Sequence, residues 1–314
     1  MNPEKLSPRQ LAVAVLVGGL SAGAAAAGRA DWRWLLACVP VGVLLGWLLL
    51  RRVGLRPKGH RPLHPALRVL YAIWAAVLMA DALERTAGRL WSASGGQGEI
   101  RWLLALLALP LIWMGWGKAA AFFRAVEIFW LAAGLTAAAV LLLGAPKVNW
   151  SWALEPAGGW MGSVGAGAVI LSTGLFAAPH LYKVEEEPGG ARRGLLWLGA
   201  LGLLSGLLAL LTAGLLSPPV AARLDGPFFA AAGLLGDTAR LEGLISALWL
   251  LPDLTLIGLL SRSWGEERRP ALAVLAALGA ALTGVTGLLP GSALPFGCVL
   301  LAILTIALPP REHK

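Results

Sequence analysis

The chain alternates long apolar stretches with short polar connections, and ten of those stretches approach or reach the length of a bilayer. They fall at about 10–28, 34–50, 66–84, 102–117, 124–144, 161–182, 194–216, 241–260, 271–289 and 293–309. A crossing helix needs roughly 17 to 25 apolar residues, so each window reads as one span. The first and sixth differ in texture from the rest. They carry GGLSAGAAAAG at 18–28 and GSVGAGAVILSTG at 162–174. Spans so rich in Gly, Ala and Ser hold few large side chains, and such helices open where the freed backbone groups can line a polar cavity. The pattern predicts an all-α integral membrane protein of about ten transmembrane helices, with helices one and six discontinuous near Gly19 to Gly23 and near Ser172 to Gly174.

Composition agrees with that reading. Of 314 residues 58% are hydrophobic and 14% charged, and the mean hydropathy is +0.73, more apolar surface than a soluble core buries. The formal charge of +9 does not mark a nucleic-acid binder, because the 26 Lys and Arg cluster in alternate connections and divide 18 to 8 between the two sides. The richer side includes Arg51, Arg52, Arg56, Lys58, Arg61, Lys118, Arg124, Arg192, Arg193, Arg268 and Arg269; the poorer holds Arg29, Arg33, Arg85, Arg89, Arg101, Lys147, Arg223 and Arg240. Cytoplasmic loops carry the excess, so both termini are expected in the cytoplasm. No cleavable signal peptide is expected, and span one stays in the mature chain. Many of the fifteen Trp stand at predicted span ends, as an interfacial belt does. Cys38 and Cys298 lie inside spans without CxxC or His at metal spacing, so no disulfide, metal or cofactor is expected.

Five spans precede the connection 145–160, APKVNWSWALEPAGGW, and five follow it. Two similar halves of odd span number lie in opposite orientations, so one membrane domain over 1–314 divides into inverted repeats at about 10–144 and 161–309. Between spans seven and eight, the segment 217–240 holds a short apolar run punctuated by Pro and Gly. It is expected to lie across the outer face as a lid.

Gly18, Gly19, Ser21 and Gly23 of span one, with Ser172, Thr173 and Gly174 of span six, are the substrate-binding candidates. Glycine frees backbone amides and carbonyls, and the hydroxyls both donate and accept; close helix packing is the competing reading of the same small residues. Two half-helix ends satisfy the carboxylate and ammonium of a zwitterion without a buried Lys or Arg, and none is expected inside a span. Asp253 is the deepest carboxylate, about a dozen residues into span eight after Pro252. With Ser246 and Thr255 it forms a candidate ion or proton site, with interfacial placement as the alternative. Asp81, Glu84 and Arg85, the pair Arg124 and Glu127, and Glu242 beside Arg240 read as interfacial ion pairs. His180 near the end of span six is a candidate gate residue or a capped interfacial side chain. The loop 183–193, KVEEEPGGARR, reads as solvated.

Five segments, in order along the chain, resemble the spore-germination permease family, the integral B subunits of nutrient germinant receptors within the amino acid/polyamine/organocation transporter superfamily. They are LSPRQL (6–11), RAVEIFW (124–130), NWSWALEP (149–156), ILSTGLFAAPHL (170–181) and RLEGLISALWL (240–250). The resemblance implies a five-plus-five inverted fold, a small amino acid or similar nutrient bound between unwound parts of helices one and six, and a complex with a larger membrane subunit and a lipoprotein in a bacterial cell membrane or spore inner membrane. The chain departs from the family in its short loops and its Ala, Gly and Leu content. It also lacks, between positions 125 and 143, the helix-five Lys that many proton-coupled relatives carry. A stand-alone amino acid transporter is the alternative function. A membrane-embedded lipid enzyme would need a nucleophile or acid/base pair, and no such constellation is present, so no enzyme is expected.

Overall fold

The computed structural model describes residues 6–53, 65–177, 190–236, 240–265, 269–288 and 293–307. Among these there is no β-strand. Ten apolar segments are helical: α1 (Pro8–Ala26), α2 (Trp32–Val53), α3 (Pro65–Ala93), α4 (Ile100–Trp116), α5 (Ala119–Gly144), α7 (Trp160–Ser172), α8 (Gly190–Leu215), the pair α11 (Arg240–Leu248) and α12 (Leu250–Arg262), α13 (Arg269–Thr283) and α14 (Ala293–Ala307). Six of these have the length and hydropathy of a membrane span, and α2, α4, α13 and α14 are shorter apolar helices. Three short helices, α6 (Trp150–Ala153), α9 (Pro218–Ala221) and α10 (Pro227–Gly233), gather at the end of the bundle where α1 finishes, hereafter the Ala26 end.

Helix α1 starts where its sequence says it should. Ser7 Oγ accepts from Gln10 N–H at 3.2 Å, Gln10 Oε1 accepts from Ser7 N–H at 3.2 Å, and Pro8 fills the first turn, where a missing N–H costs nothing. Every residue from Gln10 to Ala24 is buried, so α1 is the axis of the bundle. Its small residues set how closely its neighbours approach. A Cβ on Gly18 would stand 3.1 Å from the backbone Cα of Leu256 on α12. One on Gly19 would meet the Leu201 side chain of α8, and one on Gly23 the Oγ of Ser205, also on α8.

That contact corrects one expectation. Span one is not unwound at Gly19 to Gly23: α1 runs unbroken from Pro8 to Ala26. A helix opens where its freed backbone groups meet a polar cavity, and here the glycine face is filled by α8 and α12. In span six the α-helix ends near the expected position. Helix α7 stops at Ser172, where Ser172 Oγ donates to Val169 O at 2.7 Å and Thr173 Oγ1 to Ile170 O at 2.8 Å, before a tight turn through Ala177. His180 and the loop at 183–189 lie outside the described residues.

Span eight is kinked rather than opened at Trp249 between α11 and α12: Trp249 keeps right-handed helical torsions (φ −71°, ψ −9°), and its N–H still donates to Ile245 O at 2.9 Å. Pro252 has no N–H to offer the carbonyl of Leu248, and the next ladder bond, Asp253 N–H to Trp249 O, is stretched to 3.4 Å.

Exposed apolar side chains recur at helical spacing on the outward faces, Trp102, Leu106, Leu109, Trp113 and Trp116 on α4 and Ile128, Leu131, Leu135 and Leu142 on α5. Continuous apolar faces of this kind on the outer helices of a membrane protein face lipid. At the end where α1 starts, Glu127 of α5 accepts from Gln10 Nε2 at 3.3 Å and pairs with Arg9 at 3.9 Å. Its recorded partners are therefore on α1, rather than Arg124 on its own helix. Asp81 and Arg85 of α3 form the expected pair at 3.0 Å.

Replacing Gly18 by Ala pushes a methyl group against the α12 backbone, which cannot rotate away, and should cost about 1–3 kcal/mol. Gly88→Ala on α3, where nothing lies within 4 Å, is the control and should be neutral or slightly stabilising. Thermal unfolding of both variants in detergent checks the ordering; equal melting temperatures would contradict the close packing of α1.

Candidate functional site

Asp253 is the residue around which the buried polar chemistry collects. It sits one turn after the Trp249 kink, buried, with its two carboxylate oxygens turned to different helices. Ser21 Oγ of α1 donates to Oδ1 at 2.5 Å, and Arg89 Nη2 of α3 stands 2.6 Å from Oδ2. The Arg89 and Asp253 side chains are only 9% and 5% exposed. Guanidinium and carboxylate touch as an ion pair but are not aligned as a hydrogen bond, which leaves Arg89 Nη2 and Asp253 Oδ2 without one.

Aromatic rings close this pair off towards the Ala26 end. The Arg89 guanidinium lies 4.4 Å from the ring centroid of Phe229 on α10, a cation–π contact. Phe228 and Phe229 both pack on Trp249, with centroids 4.7 and 6.3 Å apart. Three buried polar atoms on the elements that carry the pair, Arg89 Nε of α3, Ser246 Oγ of α11 and Trp249 Nε1, have no hydrogen-bond partner among the described residues. Buried polar groups are ordinarily satisfied, so several orphans around one ion pair mark a place where a further polar group or water belongs.

The segment bearing α9 and α10 is tied down on both sides. Arg29, just past α1, donates to the carbonyls of Leu224 and Asp225 at 3.2 and 3.0 Å. Lys147 donates to the carbonyls of Leu234 and Leu235 at 3.2 and 3.0 Å. Both cations therefore meet carbonyls flanking α10.

The candidates from the sequence divide into three groups. Ser21 and Asp253, expected in separate substrate and ion sites, are bonded to each other, and Ser246 lies one turn before Trp249 in the same cluster. Gly18, Gly19 and Gly23 pack α1 against α8 and α12, while Thr255 Oγ1 donates to Leu251 O within its own helix at 2.8 Å. Ser172 turns to Cys298 Sγ of α14 at 3.2 Å, and Gly174 lies beside Leu198 of α8 and Val15 of α1. Val15 is six residues before Ser21, so the end of α7 sits on the far side of the bundle's middle from Asp253.

Arg89 was missed, as was Trp249. Arg89 was assigned to a connection, and the span interiors were expected to hold no Arg or Lys. The structure corrects both points, because α3 runs 29 residues, longer than the membrane requires, and α10 covers its last turns. A signal was present: Ala75, Met79, Ala82 and Thr86 are buried at alternating spacings of four and three, and Arg89 is the next position in that series. Arg262 is buried too, donating to the carbonyls of Met114 and Gly117 at 2.9 and 3.1 Å and capping the turn between α4 and α5.

This arrangement is an all-α bundle with the fold of a solved membrane transporter. A nucleobase-cation-symport-1 family transporter, solved in a closed conformation with bromovinylhydantoin bound, superposes with a TM-score of 0.59 over 97% of this chain and 78% of its own, at 12% identity. At that identity the likeness is one of fold. No protein-family model and no curated protein matches the chain.

Breaking a buried ion pair from one side strands the other charge and costs about 3–5 kcal/mol. Arg89→Leu and Asp253→Leu should each lose about that much, and the double variant should lose less than the sum. Reversible unfolding in mixed micelles gives the comparison, and strict additivity would mean that the two charges do not depend on each other.

Proposed function

We propose that the chain is a permease that binds, and carries across the membrane, a small neutral amino acid or similar nutrient in the cluster around Ser21, Arg89, Ser246, Trp249 and Asp253. The observation that carries this reading is the set of buried polar atoms left without partners beside a charged pair, at a proline kink, in the fold of a solved transporter. The end of α7 at Ser172 to Gly174 supplies the wall of the pathway nearer the start of α1.

In this reading both termini are cytoplasmic, the Ala26 end faces outward and the segment 217–240 is the outer lid, held shut by Arg29 and Lys147. A single Cys placed between positions 56 and 61 should then resist an impermeant thiol reagent applied to intact cells; labelling from outside would reverse the orientation.

Membership in a germinant receptor of a bacterial cell or spore inner membrane, beside a larger membrane subunit and a lipoprotein, is the finer reading. Two of the segments that carry that resemblance, LSPRQL and RAVEIFW, meet through Gln10, Arg9 and Glu127. A stand-alone transporter is the other form of the same function. Partner dependence separates them: the receptor subunit needs its companions for solute response, the stand-alone carrier does not.

Purified protein in liposomes should take up small amino acids and show a raised melting temperature in their presence, because a ligand that binds only the folded state stabilises it by mass action. Ser246→Val should lower the affinity about three- to tenfold, the worth of one hydrogen bond. Absence of both uptake and thermal shift across amino acids, nucleobases and amines would overturn the reading.

A further inference from the structure

We propose that Arg89 and Asp253 are the two halves of a receptor for a zwitterion, and that the ion pair between them is the closed, solute-free form of that receptor. The inference rests on the transporter reading above and names the chemical class that the site selects. On binding, the ligand's carboxylate goes to the Arg89 guanidinium and its ammonium to the Asp253 carboxylate, and the direct pair opens.

Four features lead to this assignment. The pair is buried, so removing either charge leaves the other uncompensated in the protein interior. A zwitterion keeps the site neutral while giving each charge a partner, whereas a simple acid or amine brings one net charge into it. The contact is made through one nitrogen and one oxygen, Nη2 to Oδ2 at 2.6 Å, and Nε has no partner among the described residues. A guanidinium aligned on a carboxylate gives two parallel bonds, and a ligand carboxylate can take both.

The surroundings supply the remaining polarity. Trp249 Nε1 is a donor, and the Ser246 hydroxyl can donate or accept; both are buried without partners among the described residues. Ser21 already holds Asp253 Oδ1, which fixes the carboxylate on the α1 side and leaves Oδ2 as the exchangeable oxygen. The walls limit size. Phe228, Phe229 and Trp249 stack on one another, with Phe229 against the Arg89 guanidinium. A short side chain fits such a site better than a long one. This site lies between α1, α3, α10 and the kink in span eight, so the contacts that select the ligand are separate from the end of α7 at Ser172 to Gly174.

The test is titration calorimetry on the full chain in nanodiscs with L-alanine, propionate and ethylamine, which share a small carbon skeleton and differ in charge. The parent should bind alanine at least tenfold more tightly than either analogue. Asp253→Asn frees Arg89 and should turn the preference towards propionate; Arg89→Gln frees Asp253 and should turn it towards ethylamine. A gain of binding cannot come from misfolding, and if a variant does not assemble, the parent's ranking of the three compounds decides alone. Equal binding of alanine and an analogue by the parent, or folded variants with unchanged preference, would overturn the zwitterion assignment. If alanine fails to bind while liposomes accumulate another solute, such as uracil, the assignment falls and the transporter reading stands; if no solute is bound or carried, both fall.

Discussion

A carboxylate inside a membrane protein must be met by opposite charge or hydrogen bonds, and much of this architecture follows from how Asp253 is met. Ser21 reaches it from the axial helix, Arg89 from α3, and the kink at Trp249 places it beside both. Arg89 in turn has to be shielded. Helix α3 is long enough to carry it past the apolar window of the span, and α10 lays Phe229 over its guanidinium. The segment carrying α10 is held by Arg29 and Lys147 through backbone carbonyls. One buried charge thus draws together three crossing helices and the cap at the Ala26 end.

The axial helix makes that convergence geometrically available. With Gly18, Gly19 and Gly23 on its contact faces, α1 lets α8 and α12 approach to backbone distance, so a short side chain such as Ser21 reaches the neighbouring helix. In lipid, helices gain little from apolar burial against one another and associate through close packing and hydrogen bonds. The same small residues that weaken an isolated helix therefore stabilise this one in place, because its ladder is enclosed on all sides and never exposed to a polar cavity. The helical ladder is interrupted instead where the Ser172 and Thr173 hydroxyls close the end of α7 and where Pro252 lacks an N–H.

Sequence alone determined the class of the molecule. Ten apolar windows of this length suffice for an all-α membrane bundle, since hydrocarbon admits so few backbone solutions. It also determined local events that depend on near neighbours: the Ser7 capping box, the end of α7 at Ser172, the Asp81–Arg85 pair and the weakness before Asp253. Tertiary structure alone decided which glycines pack and which helices run on unbroken, because composition cannot say whether a small face meets a cavity or another helix. It alone joined Ser21 to Asp253 across 232 positions and turned Arg89 from an apparent loop residue into a buried partner. An arginine near a span end looks interfacial until something covers it, and that cover, Phe229 on α10, lies 140 residues away in the chain.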